Sequence, residues 1–194
     1  MSVTPVRGLQ VTTGVTAWCR RRGNVATMND RAPAPGGLAL VEALVNTLLD
    51  IRTGEDALDR PEVRARFGIP PGELDAARAL RESLRAACLA HAGHPPHREV
   101  TPLTDLLATA PLHVRVDPAD GAATLAPPDD ASLTSRVAAA IAEATTTGTW
   151  PRLKACEASD CHWAYYDRSP AARSRWCDMR VCGARAKMRR YRAK

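Results

Sequence analysis

The chain has 194 residues, of which only 4% are aromatic, so it is long enough to bury a core, but one made of alanine and branched aliphatics. No apolar run approaches the roughly 20 residues that cross a bilayer, and the start lacks the continuous apolar stretch of a secretory signal; both point to a reducing, cytoplasmic protein and away from a membrane. The net charge of +6 is unevenly spread: residues 173–194 hold nine Lys or Arg against Asp178 alone, while residues 31–172 hold fourteen basic and nineteen acidic residues. An acidic body with a basic end predicts a separate module facing a polyanion.

Residues 1–35, with Arg20, Arg21 and Arg22, show neither helical nor strand period and are expected to be a flexible lead-in; Met28 starts a sequence that makes sense without what precedes it. From residue 36 to 148 the patterns predict a mainly α domain. Leu38, Val41, Val45 and Leu48 fall at helical spacing after Gly36-Gly37, predicting a buried helix over residues 38–51. Asp59 as cap, Pro61 in the first turn and Gly68 as stop predict a short helix. Over residues 71–91, Leu74, Ala77, Leu84, Cys88 and His91 form a stripe, with Arg78, Arg81, Glu82 and Arg85 largely off it. Another short helix starts at Pro102. Leu112, Val114 and Val116 then alternate with His113 and Arg115 before the turn "DPADG", which predicts a small β-hairpin. A last body helix follows over residues 131–145, and "TTTGTW" marks the boundary.

The final 44 residues, 151–194, carry four cysteines in two pairs. Four residues separate Cys156 from Cys161 and Cys177 from Cys182, with fifteen between the pairs. Two close pairs on two turns suit a closed tetrahedral zinc site, and a module this small and poor in apolar residues needs such a staple. Disulfides would require an oxidising compartment, and an iron–sulfur cluster or chance would also account for the pattern. A full set of sulfur ligands leaves no open position for catalysis. His162 has the chemistry of a ligand but falls outside the pairing, and Cys19 and Cys88 stand apart from it. After the fourth cysteine, Ala184, Met188 and Tyr191 line one helical face and Arg185, Arg189 and Arg192 its neighbour. Such a helix is expected to press its apolar face on the zinc knuckle and turn a guanidinium ladder outward.

These residues resemble the CGNR zinc finger, in which a C-x4-C pair, a Trp-Cys step and a Cys-Gly-Asn-Arg element lead into a basic helix; here they stand as Cys156, Cys161, Trp176-Cys177 and "CGAR" at 182–185, with Ala184 in place of the family's asparagine. Upstream, "GGLALVEALVNT" and "ARALRESLRAAC" resemble the helical ABATE-type domain of stress-induced transcription regulators that precedes this finger. The resemblance implies a mainly α fold with one hairpin followed by a treble-clef-like or ribbon-like four-cysteine finger, binding zinc and double-stranded DNA and controlling transcription. A small molecule or protein is the implied partner of the first domain, and a dimer is compatible with it.

The residues expected to meet DNA are Arg173, Arg175, Arg185, Lys187, Arg189, Arg190 and Arg192, with Arg185 best placed for a base edge because helix N-terminal residues reach into the groove. Two other classes compete. Trp163, Tyr165 and Tyr166 could stack unpaired RNA bases, though they equally suit a small core, and a zinc-stapled protein-interaction module with an incidental basic tail is the third choice. No close nucleophile–base set or phosphate loop argues for an enzyme, and His91, His94 and His97 surround a proline-rich loop where a turn suffices.

Overall fold

The computed structural model describes residues 32–127 and 132–193. The lead-in with Cys19, Arg20, Arg21, Arg22 and Met28, the end of the "APPDD" linker and the first residue of the last body helix lie outside them. Helix α1 (Leu38–Val45) leads to the short antiparallel pair β1 (Leu48–Asp50) and β2 (Glu55–Asp56), then α2 (Pro61–Arg66) and the long α3 (Leu74–His91). Next come α4 (Leu103–Leu107), the hairpin of β3 (His113–Val116) and β4 (Ala123–Ala126), and α5 (Leu133–Thr146). The C-terminal part holds a second hairpin, β5 (Leu153–Ala155) and β6 (Ala164–Tyr166), a π-helical turn at Met179–Gly183 and helix α6 (Ala184–Arg192).

The predicted stripes become the core. Leu38, Val41, Leu44, Val45, Leu80, Leu84, Cys88, Val137 and Ala140 are buried between α1, α3 and α5. Gly37 allows the close crossing of α1 on α5, since a Cβ there would stand 2.7 Å from the Cβ of Ala140. Ser132 caps α5 by accepting from the Ser135 N–H. The hairpin forms where alternation placed it, with Gly121 at φ +74° in its turn.

Two expectations are corrected. Helix α1 stops at Val45 instead of running to residue 51, because Asn46 and Thr47 use their side chains elsewhere: Thr47 Oγ1 donates back to the Leu44 carbonyl at 2.7 Å, and the Asn46 amide is taken up by Ala164. Asp59 does not cap α2; Arg60 is the cap residue and Asp59 pairs with Arg78. Arg81, Glu82 and Arg85, which lie off the apolar stripe, are nonetheless only 4%, 2% and 1% exposed. Arg85 reaches the His162 carbonyl between β5 and β6, while Arg81 and Glu82 bond to Asp56, Thr47 and His97.

The apolar core thus continues past residue 148. Leu153, Ala155, Ala164 and Tyr166 belong to the same cluster as α1, α3 and α5, and β5 packs along α3. Thr149 N–H donates to the Ala144 carbonyl at 2.8 Å, so the passage out of α5 is a helix cap followed at once by Trp150, whose ring meets His91 edge-on at 4.7 Å.

Candidate metal centre

Each cysteine pair sits in a turn defined by backbone bonds. Cys156 follows β5, and its N–H donates to the Trp163 carbonyl at 2.9 Å, extending the hairpin ladder by one step. Cys161 N–H returns to the Ala158 carbonyl at 2.9 Å, and His162 turns the chain back with φ +48°. Cys177 and Cys182 flank Asp178, whose Oδ1 accepts from the N–H groups of Arg180 and Val181 at 2.6 and 3.2 Å and so starts the π-helical turn. Gly183 fits closely there: a Cβ would meet Met179 Sδ and Trp176 Cδ1, both at 3.1 Å.

The four sulfur atoms lie within 4.8 Å of one another, with Cys161–Cys177 and Cys177–Cys182 separations of 3.7 Å. Zinc–sulfur bonds of about 2.3 Å in a tetrahedron place sulfurs about 3.8 Å apart, so the donor set and its spacing fit zinc. Cys156, Cys177 and Cys182 are fully buried and Cys161 is half-buried. Hydrogen bonds from Cys161 and Cys177 lower the Cys156 pKa, and their contacts with Cys156 push the Cys161 and Cys177 thiols up. A divalent ion is the natural replacement for protons shared in this way. Neither His162 nor the histidines of the proline-rich loop join the group: the His97 ring faces that of His162 at 5.5 Å, and its Nε2 meets Glu82 Oε2 at 3.1 Å. Cys88 is apart from it too, a buried thiol pushed up to about 12 by desolvation.

The body grips this knuckle from behind. Asn46 forms a two-way bond with Ala164, accepting its N–H at 2.8 Å and donating to its carbonyl at 3.0 Å. Arg85 donates to the His162 carbonyl at 2.9 Å, to the Val45 carbonyl at 2.7 Å and to Glu82 at 3.1 Å. Arg81 closes the chain from Glu82 at 2.7 Å to Asp56 at 2.7 Å. Burial opposes ionisation of Glu82, but His97, Arg85 and Arg81 overcome it and hold the carboxyl well below its ordinary value. A second hub, Asp167, takes the Lys154 ammonium at 2.9 Å and the N–H groups of Ser169 and Ser174 at 3.0 and 2.8 Å, which orders the loop between the cysteine pairs. Burial raises its pKa, and these bonds together bring it well below the usual carboxylate range. Sequence patterning did not single out Asn46, Lys154 or Asp167, since each pairs with a residue distant in the chain or with backbone.

The basic candidates divide. Arg173, Lys187, Arg189, Arg190 and Arg192 are exposed, and so is Arg180, a further cation of the same basic run that spacing had not marked out. Arg175 is paired with Glu157 through two hydrogen bonds and sits 5.5 Å from the Trp176 ring centroid. Arg185 points back into the knuckle, to Asp160 and Cys182. The expected burial of the apolar face of α6 is corrected: Met188 and Tyr191 are 51% and 76% exposed, because α6 meets the rest of the protein chiefly through the π-helical turn at its root. Tyr165 is fully buried with its hydroxyl donating to the Ser174 carbonyl at 2.7 Å, and Tyr166 is in the body core. Both are packing residues.

A zinc knuckle, a β-hairpin and a terminal basic helix, seated on a helical body, define a zinc-finger protein. Residues 152–194 match the CGNR zinc finger profile. Residues 2–148 match the ABATE profile, described as "Putative stress-induced transcription regulator", and that match starts well ahead of Gly36. The chain therefore belongs to the ABATE family and ends in a CGNR zinc finger. No curated protein matches it. Among the described residues no helix is long and apolar enough to cross a membrane.

Proposed function

We propose that this protein is a cytoplasmic, non-enzymatic transcription regulator of the stress-response type, in which Cys156, Cys161, Cys177 and Cys182 hold a structural zinc ion and the exposed cations of the finger grip double-stranded DNA. The observation that supports this most is the surface of the finger: Arg173, Arg180, Lys187, Arg189, Arg190 and Arg192 are all exposed, and no ion pair engages them among the described residues. Cations left unpaired beside a rigid knuckle are suited to phosphates, whose neutralisation releases counterions. Burial of Tyr165 and Tyr166 leaves less of a stacking platform for unpaired RNA bases. The helical body is the regulatory half.

Binding of duplex DNA by the zinc-loaded protein, measured across salt concentrations, tests the proposal. About four phosphate contacts give a slope of log affinity against log salt of about −3.6. Arg189→Ala should flatten it by about one unit and weaken all sequences alike. Affinity that ignores salt, or that favours single-stranded RNA, would refute duplex binding as the function.

A further inference from the structure

Arg175 and Arg185, the two basic candidates engaged by carboxylates, occupy related places. Glu157 follows Cys156, and Arg175 stands two residues before Cys177; besides the paired side chains, Glu157 N–H donates to the Arg175 carbonyl at 3.0 Å. Asp160 precedes Cys161, and Arg185 stands three residues after Cys182, its Nη1 on Asp160 Oδ2 at 3.1 Å and its Nη2 directed at Cys182 Sγ at 3.2 Å. Each pair therefore joins the turn of the first cysteine pair to the turn of the second. Only the Arg185 clasp also touches a sulfur. Four thiolates around a divalent ion carry a net negative charge, and a guanidinium donor on one of them offsets it while fixing the sulfur's direction.

We infer that Arg185 is a positioning residue of the metal centre: its guanidinium bridges Asp160 and Cys182, locks the two cysteine turns together and anchors the root of α6, instead of reaching a DNA base. The inference rests on the zinc assignment above but not on DNA binding. It also explains how α6 keeps its direction with Met188 and Tyr191 exposed, since a charged clasp at the root replaces an apolar seam along the helix.

The test uses the full chain with its zinc content measured beforehand. In competition with a chromophoric chelator, Arg185→Ala should weaken zinc affinity by about 10- to 100-fold, the usual effect of removing an outer-shell partner. Asp160→Asn should shift it in the same direction by less, Arg185→Lys should fall between, and Arg189→Ala should match the wild type. In the cobalt-substituted protein, the sulfur-to-cobalt charge-transfer band of Arg185→Ala should move to longer wavelength, because losing a donor raises the energy of the sulfur lone pairs. Wild-type affinity and an unmoved band in Arg185→Ala would overturn the inference. If that variant does not fold, an unchanged affinity in Asp160→Asn overturns it. A wild-type chain that takes up no zinc would overturn the metal assignment, and this inference with it, before any variant is compared.

Discussion

Asn46→Ala should loosen the seam between the helical body and the zinc knuckle at a cost far above that of an ordinary surface change. The side chain supplies both hydrogen bonds of Ala164 at this point, at 2.8 and 3.0 Å, and Ala164 is fully buried. Alanine can replace neither bond, so a buried N–H and a buried carbonyl lose their partners, each costing about 1–3 kcal/mol. Allowing for partial relief by water, the expected loss is about 2–4 kcal/mol. Urea unfolding of the zinc-loaded chain, followed by tryptophan fluorescence, reads this directly. With a slope of about 2 kcal/mol per molar, the midpoint should fall by about 1–2 M at unchanged slope. A shift below about 0.3 M would refute the assignment of Asn46 as a main contact of the seam.

Two further expectations concern truncation and pH. A chain ending at residue 148 should lose cooperative unfolding, because it lacks Leu153, Ala155, Ala164 and Tyr166 of the shared core and takes the His162 carbonyl from the buried Arg85; a sharp thermal transition in that fragment would show that the body folds alone. Stability should fall with acid in two stages. Burial lowers the His91 pKa below its ordinary 6.5 despite the bond from its Nδ1 to the Leu153 carbonyl, so below that pH the unfolded chain takes up a proton that the folded one resists. Glu82 and Asp167, held below their ordinary 4.5 and 3.8, contribute stability above those values that is lost as pH falls toward their folded pKa. His91→Asn, which keeps a donor but cannot titrate, should flatten the curve just below about pH 6.5 relative to the wild type; equal slopes would remove His91 from the account.

Periodicity made the body legible. The stripe of Leu84 and Cys88, the alternation of Val114 and Val116 and the spacing of the four cysteines each carry their structure within one short window. What escaped depends on contacts between windows. Leu48 continues the helical spacing of Leu38, Val41 and Val45, yet the helix ends because Asn46 is engaged by Ala164, far along the chain. Arg81, Glu82 and Arg85 have the composition of a solvated face and become interior through partners distant in the chain: Asp56, His97 and the His162 carbonyl. Arg185 has the position of a base-reading residue, and its direction is set by Asp160, which no helical pattern includes. Charge alone does not tell a side chain that faces water from one that closes a network.

The seam also decides how body and finger can communicate. A finger on a free linker would sample many orientations, and a change in the body would reach it only through shared concentration. Here Gly148 and Thr149 close α5 as a cap, Trp150 packs against His91, and β5 lies along α3. Arg85 holds the carbonyl of His162, the residue after Cys161, while the same guanidinium holds Val45 at the end of α1. A displacement of α1 against α3 therefore cannot leave the first cysteine turn where it was without breaking a bond to a group 1% exposed. The exposed cations of α6 are carried at a defined angle to the helical body, because the turn that carries Cys182 is clasped to the turn that carries Cys161. A shift in the body thus reaches the finger through its orientation.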